Sequence, residues 1–305
     1  MKSPAQAHFP QIIIENSQKW LFNPVLRKRF KDRPEERVRL AWLEYLLHQT
    51  DIKKNRIGFE NPVKNMNNKH SMRADLIIYD TGMKAHVLVE CKSENIPLNS
   101  KTAEQAARYN LDIGAKYIVL TNGVEDYWFE TTTDGIIETA SFFEEVKHTT
   151  LIRANRAYWS ERGFLKSTAD SKLTETIVHL LTTILGESFS CEKRYLAFQG
   201  TLSGLPLNHY YKIVELENHK KLAISLFGHD SSGQYLVGIL NENGENSGMI
   251  SINLENLFSG EKLAATLYKR GDISEEDADG LLQILQSADS DGYRKIPQTL
   301  MNFFV

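Results

Sequence analysis

The sequence predicts an α/β fold with a mixed sheet, followed by a second, β-rich α+β domain. Three observations carry this. A helix-periodic run with a proline in its first turn precedes several short apolar runs. A second helix-like segment separates two of those runs, which makes the strands on either side parallel neighbours. From about residue 170 the alternation gives way to a succession of strands. A chain of 305 residues can bury two cores, and the division falls at 1–150 and 151–305.

In chain order, "DRPEERVRLAWLEYLLHQ" reads as the first helix, with Asp32 as cap, Glu35 completing a capping box and Pro34 in the first turn. Glu36, Leu40, Leu43 and Leu47, spaced 4, 3 and 4, share a face, so Glu36 heads an inward stripe while Glu35 points elsewhere. A short strand is expected around "RIGFENPVK". "RADLIIYD" (73–80) and "AHVLVECK" (85–92) read as strands joined through "TGMK", with Gly82 available for positive φ. "SKTAEQAARYNLDIG" is the second helix, closed by Gly114. "KYIVLTNG" and "EDYWFETT" form a further strand pair, and residues 131–168 read as mixed helical and polar. In the second domain the helix "SKLTETIVHLLTTIL" leads into "RYLAFQG", "YYKIVELE", "KLAISLFG", "QYLVGILNE" and "SGMISINL", and "SEEDADGLLQILQS" reads as helical. The aromatics Tyr195, Phe198, Tyr210 and Tyr211 are expected in the core there, not on a base-stacking surface.

Composition narrows the class. With 41% apolar and 25% charged residues the chain is an ordinary soluble one, and no apolar run approaches the roughly 20 residues a membrane span needs. "MKSPAQAHFPQIIIEN" has no small-residue cleavage pattern, so no signal peptide is expected. Two distant cysteines, Cys91 and Cys191, argue for a reducing, cytoplasmic setting. The nine histidines show no metal-ligand spacing, and no phosphate-cradling glycine motif occurs. Net charge is only −3, but residues 1–100 hold 17 Lys+Arg against 11 Asp+Glu, densest in "RKRFKDRPEERVR" (27–39). That stretch reads either as a solvated helix entry or as a surface that meets phosphates.

The chemistry concentrates where the strand "AHVLVECK" ends. Leu88, Glu90 and Lys92 share one strand face, and Val87, Val89 and Cys91 the other. Asp75, near the start of the preceding strand, approaches Glu90 if the two strands pair antiparallel. Two close carboxylates repel unless a cation or proton lies between them, and one or two carboxylates plus water suit Mg²⁺. Taken singly, Glu-x-Lys is an ordinary cross-strand ion pair, Asp75 a strand-start cap and Cys91 a small core residue.

Together, "PEERVR", "RADLIIYD", "VLVECK" and "EQAARY" resemble the PD-(D/E)XK nuclease superfamily, and more closely the N-terminal nuclease domain of type I restriction enzyme R subunits. The resemblance covers roughly residues 20–135, with Ala74 in place of the usual proline, and is silent on 150–305. It implies a restriction-endonuclease-like αβββαβ core. It also implies a Mg²⁺-dependent (or Mn²⁺-dependent) endonuclease acting on DNA, in restriction, defence or repair. Asp75 and Glu90 would bind the metal with the Cys91 carbonyl, and Glu36 would hold a second metal or a water. Lys92 would position the attacking water, and Gln105 and Tyr109 would contact DNA or steady the site. Arg73 could meet a phosphate or form a surface ion pair. The second domain would recognise protein partners or the substrate. The alternative is a nuclease-fold nucleic-acid-binding or assembly module active only, if at all, within a larger complex.

Overall fold

The computed structural model describes residues 1–16, 18–63, 72–139, 155–186, 192–197, 208–269, 271–287 and 289–304. The chain divides into two units, Met1–Thr149 and Thr150–Val305.

The first unit opens with three strands that the sequence analysis did not anticipate: β1 (Gln11–Glu15), β2 (Gln18–Asn23) and β3 (Lys28–Lys31) form an antiparallel meander. Helix α1 (Pro34–Gln49) follows, then β4 (Ile57–Val63), β5 (Met72–Tyr79), β6 (Ala85–Cys91), α2 (Ser100–Ile113), β7 (Tyr117–Thr121), β8 (Asp126–Thr132) and β9 (Gly135–Thr139). Strands β4 to β9 form one six-stranded sheet in chain order. Only the β6–β7 pair, bridged by α2, is parallel. Strand β6 is apolar on both faces because both are covered. Val87, Val89 and Cys91 pack into the cluster that holds Trp42 and Leu43 of α1, and Leu88 into the one that holds Tyr109 and Ile113 of α2.

Several local expectations need correction. Asp32 does not cap α1: the N-cap is Arg33, without a side-chain cap, and the Asp32 carboxylate instead binds Lys19 (3.2 Å) and Arg37 (2.8 Å). Nor is α1 buried along one stripe, since Val38 through Leu46 are all buried. The N-terminal segment covers its outer side, where Gln11 donates to Glu44 (3.3 Å) and His8 meets Gln49 (2.8 Å). In the β5–β6 turn the left-handed residue is Met83 (φ 61°), not Gly82. Strand β9 lies within the stretch expected to be helical and polar.

The second unit contains α3 (Arg156–Ser160) and α4 (Ser171–Leu185), then β10 (Glu192–Leu196), β11 (His209–Glu215), β12 (Lys220–His229), β13 (Gly233–Glu242), β14 (Glu245–Asn253), β15 (Ala264–Lys269) and β16 (Asp272–Asp277). These strands form a seven-stranded antiparallel meander. Helices α5 (Asp279–Ser287), α6 (Ser290–Tyr293) and α7 (Ile296–Met301) complete it. Strands β15 and β16 were not expected. "SEED", read as a helix start, belongs to β16, and the helix begins only at Asp279. Tyr195 and Tyr211 are buried; Phe198 and Cys191 lie outside the described residues. No described helix is long and apolar enough to cross a membrane.

Candidate active site at the end of strand β6

The pairing of Leu76 with Val89 sets the register of β5 against β6 and brings the next residues along each strand, Asp75 and Glu90, side by side. The Cys91 N–H donates to Asp75 Oδ2 at 2.8 Å, anchoring that carboxylate to the backbone of β6. From α1, Arg39 Nη1 reaches Asp75 Oδ1 at 3.4 Å, while its Nη2 binds Glu36. Glu36, Arg39 and Asp75 thus form a chain of alternating charge from the first turns of α1 to the sheet.

Glu90 is almost fully buried, at 4% exposure. Its Oε1 accepts from Lys92 Nζ at 2.8 Å, whereas its Oε2 is buried with no hydrogen-bond partner among the described residues. Lys92 also reaches Gln105 Oε1 (3.4 Å), and Gln105 Nε2 donates to Tyr109 OH (2.7 Å). Gln105 and Tyr109 sit one turn apart on α2, so they line up beside Lys92. The helix is held by a capping box at Asn99 and by Gly114 in the left-handed conformation. The Lys92 backbone N–H binds Thr121 O at 2.8 Å, continuing the β6–β7 pairing one residue past the strand end.

Electrostatics follow from burial. The Glu90 carboxyl is pushed up to about 7, first by burial and then by Asp75, against the pull of Lys92. Asp75 is raised as well. Burial is the main cause, the Cys91 N–H and Arg39 oppose it, and Glu35 adds repulsion. Burial works against the charge of Lys92, but Glu90 more than offsets it, so the ammonium is held charged. Arg39 is likewise held charged by Glu36 and Asp75 despite its burial. The Cys91 thiol is pushed well up by burial, which makes it a core side chain and not a nucleophile.

The structure therefore brings together Asp75, Glu90, Lys92, Gln105 and Tyr109, with Glu36 joined through Arg39. Arg73 lies on β5, but its side chain is outside the described residues. The influence of two residues on the site escaped the sequence reading. Arg39 was hidden because a Glu–Arg pair three apart on a helix is normally a surface feature. Glu35 is exposed, and its charge acts on Asp75, Glu90 and Lys92. Among the described residues no three His, Cys, Asp or Glu side chains gather as a metal-holding group. A divalent ion at this site would rest on two carboxylates, backbone carbonyl and water. The unbonded Glu90 Oε2 beside Asp75 fits a hard cation that takes oxygen ligands.

The first unit is thus a mixed α/β domain with an acid–acid–lysine cluster at a strand end between two helices. Residues 34–145, under half of the chain, match the family model described as type I restriction enzyme R protein N terminus. This segment contains every residue of the cluster. No curated protein and no solved structure matches the chain.

Proposed function

We propose that the first unit is a nuclease domain of the PD-(D/E)XK type that hydrolyses DNA phosphodiester bonds with Mg²⁺, or Mn²⁺ in its place. The observation that carries this reading is the meeting of Asp75, Glu90 and Lys92 at the end of β6, inside the matched segment. Asp75, Glu90 and the Cys91 carbonyl would hold the cation. Bound there, it supplies Lewis acidity to the phosphate and makes a nearby water more acidic. Lys92, steered by Glu90 and Gln105, positions the attacking water and offsets negative charge growing on the phosphate. Arg39, clamped by Glu36, keeps Asp75 turned toward Glu90. Gln105 and Tyr109 face the phosphates next to the scissile one, and Arg73 is assigned to the same backbone. The second unit is assigned to protein partners.

Plasmid cleavage in Mg²⁺ tests the reading. Asp75→Asn and Lys92→Ala are each expected to slow nicking about 100-fold or more. Cleavage that survives both changes overturns the site. The contact of Arg39 with Asp75, which already gives that carboxylate a cation, favours one other reading: a nucleic-acid-binding or assembly module. Duplex binding without cleavage in either Mg²⁺ or Mn²⁺ would select it.

A further inference from the structure

The cationic stretch 27–33 takes no part in the cluster around Asp75, yet it lies next to it. We propose that β3 and its flanks are the surface on which the DNA backbone lies as it enters the site, an inference that rests on the nuclease reading. Arg27, Lys28, Lys31 and Arg33 are all exposed, and none has an ion-pair partner among the described residues. Arg29 is the member of the run that is neutralised, by Glu15. Four uncompensated cations within seven residues are unusual in a chain of net charge −3.

The strip is built, not loose. Asn23 Oδ1 accepts from the N–H groups of Val25 and Leu26 (2.9 and 3.0 Å), which fixes the β2–β3 turn. Asp32, just past β3, is gripped by Lys19 of β2 and Arg37 of α1. Phe30 turns inward, and the Arg39 guanidinium sits 5.9 Å from its ring centroid. The same guanidinium touches Asp75, so a single side chain links the inner face of β3 to the cluster. From Lys28 to Lys31 the strand advances about 10 Å. That length is enough to meet neighbouring phosphates of one DNA strand, one through each of the two lysines.

Charged residues on an edge strand also prevent pairing with other chains, and acidic residues serve that purpose as well as basic ones. Charge reversal separates the two roles. In EDTA, so that no DNA is cut, the full chain is titrated with a labelled 20-base-pair duplex at several salt concentrations and anisotropy is read. For Lys28→Glu/Lys31→Glu, affinity is expected to fall at least 10-fold. The slope of log K against log salt should shrink by about 2, close to 0.9 per lost phosphate contact. Lys28→Gln/Lys31→Gln should fall in the same direction by less. Lys262→Glu, in the second unit, should match wild type. Unchanged affinity and slope in both double variants overturn the proposal, as does a wild type that binds no duplex at any salt. Tighter binding of duplex RNA than of DNA overturns the assignment to DNA. A wild type that binds through this strip but cuts nothing in Mg²⁺ leaves the strip standing and overturns the nuclease reading instead.

Discussion

Glu90 carries a marked electrostatic burden, because its carboxyl is buried beside another and, among the described residues, only one of its oxygens is hydrogen-bonded. Its carboxyl binds a proton more readily folded than unfolded, with a pKa raised from 4.5 to about 7. The stability it contributes is therefore fully present below about pH 4.5 and is lost as pH rises through about 7. Glu90→Gln, which keeps the acceptor for Lys92 without the charge, should be more stable than wild type at pH 8 in EDTA. The gain should be about 1–3 kcal/mol by urea unfolding and close to none at pH 4.5. Mg²⁺ should narrow the gap by stabilising wild type alone. An equal gap at both pH values would show that Glu90 is not strained by its charge. The same scale holds the test of Arg39, whose guanidinium is buried between Glu36 and Asp75. Arg39→Leu leaves both carboxylates without it and should cost about 3 kcal/mol. Glu36→Leu/Arg39→Leu should recover part of that loss in the same urea titration, because one of the two stranded carboxylates leaves with the guanidinium while Asp75 stays without it. A double variant no more stable than the single one would sink the clamp.

Helix α2 sets the position of Gln105 and Tyr109, and its first turn depends on Asn99. The Asn99 side chain accepts from the N–H groups of Lys101 and Thr102 (3.0 and 3.3 Å), and Thr102 Oγ1 accepts from the Asn99 N–H (3.0 Å). Asn99→Ala should therefore cost about 1 kcal/mol, read as a lowered Tm. It should also slow plasmid cleavage a few-fold by loosening Gln105 beside Lys92; an unchanged Tm would mean that packing alone holds the helix start. Elements of this kind were legible in the sequence because apolar runs and turn residues agreed. Strands β5 and β6 and helix α2 each carry an apolar face and a clear stop. The meander β1–β3 was not legible, since its strands are short and only partly buried, and β3 is rich in cations. Strand β16 misled for the opposite reason: "DISEED" is exposed throughout and acidic, which imitates a helix start, and only pairing with β15 makes it a strand. The candidate site was legible as residue types, because period-two spacing placed Glu90 and Lys92 on one face. The Glu36–Arg39–Asp75 chain was not, because it depends on how α1 docks against the end of the sheet.

At the scale of the whole chain, each unit has its own sheets and its own core. Trp42, Leu43, Val89 and Trp128 belong to one, and Tyr211, Val237, Ile239 and Met249 to the other. Helices α4, α5 and α7 add further buried side chains to the second unit, Leu300 among them at 0% exposure. Two cores of this size should unfold as two cooperative transitions in scanning calorimetry. The proposed site lies wholly in the first unit, so Mg²⁺ should raise one transition and leave the other in place, as ligand binding to a folded state requires. Leu300→Ala, which opens a cavity in the second unit at a cost of about 2–5 kcal/mol, should lower the other transition alone. If both perturbations moved a single shared transition, the two units would fold as one. A change in the second unit would then reach the site through stability, and variants of its surface could not be read as partner contacts without correcting for that loss.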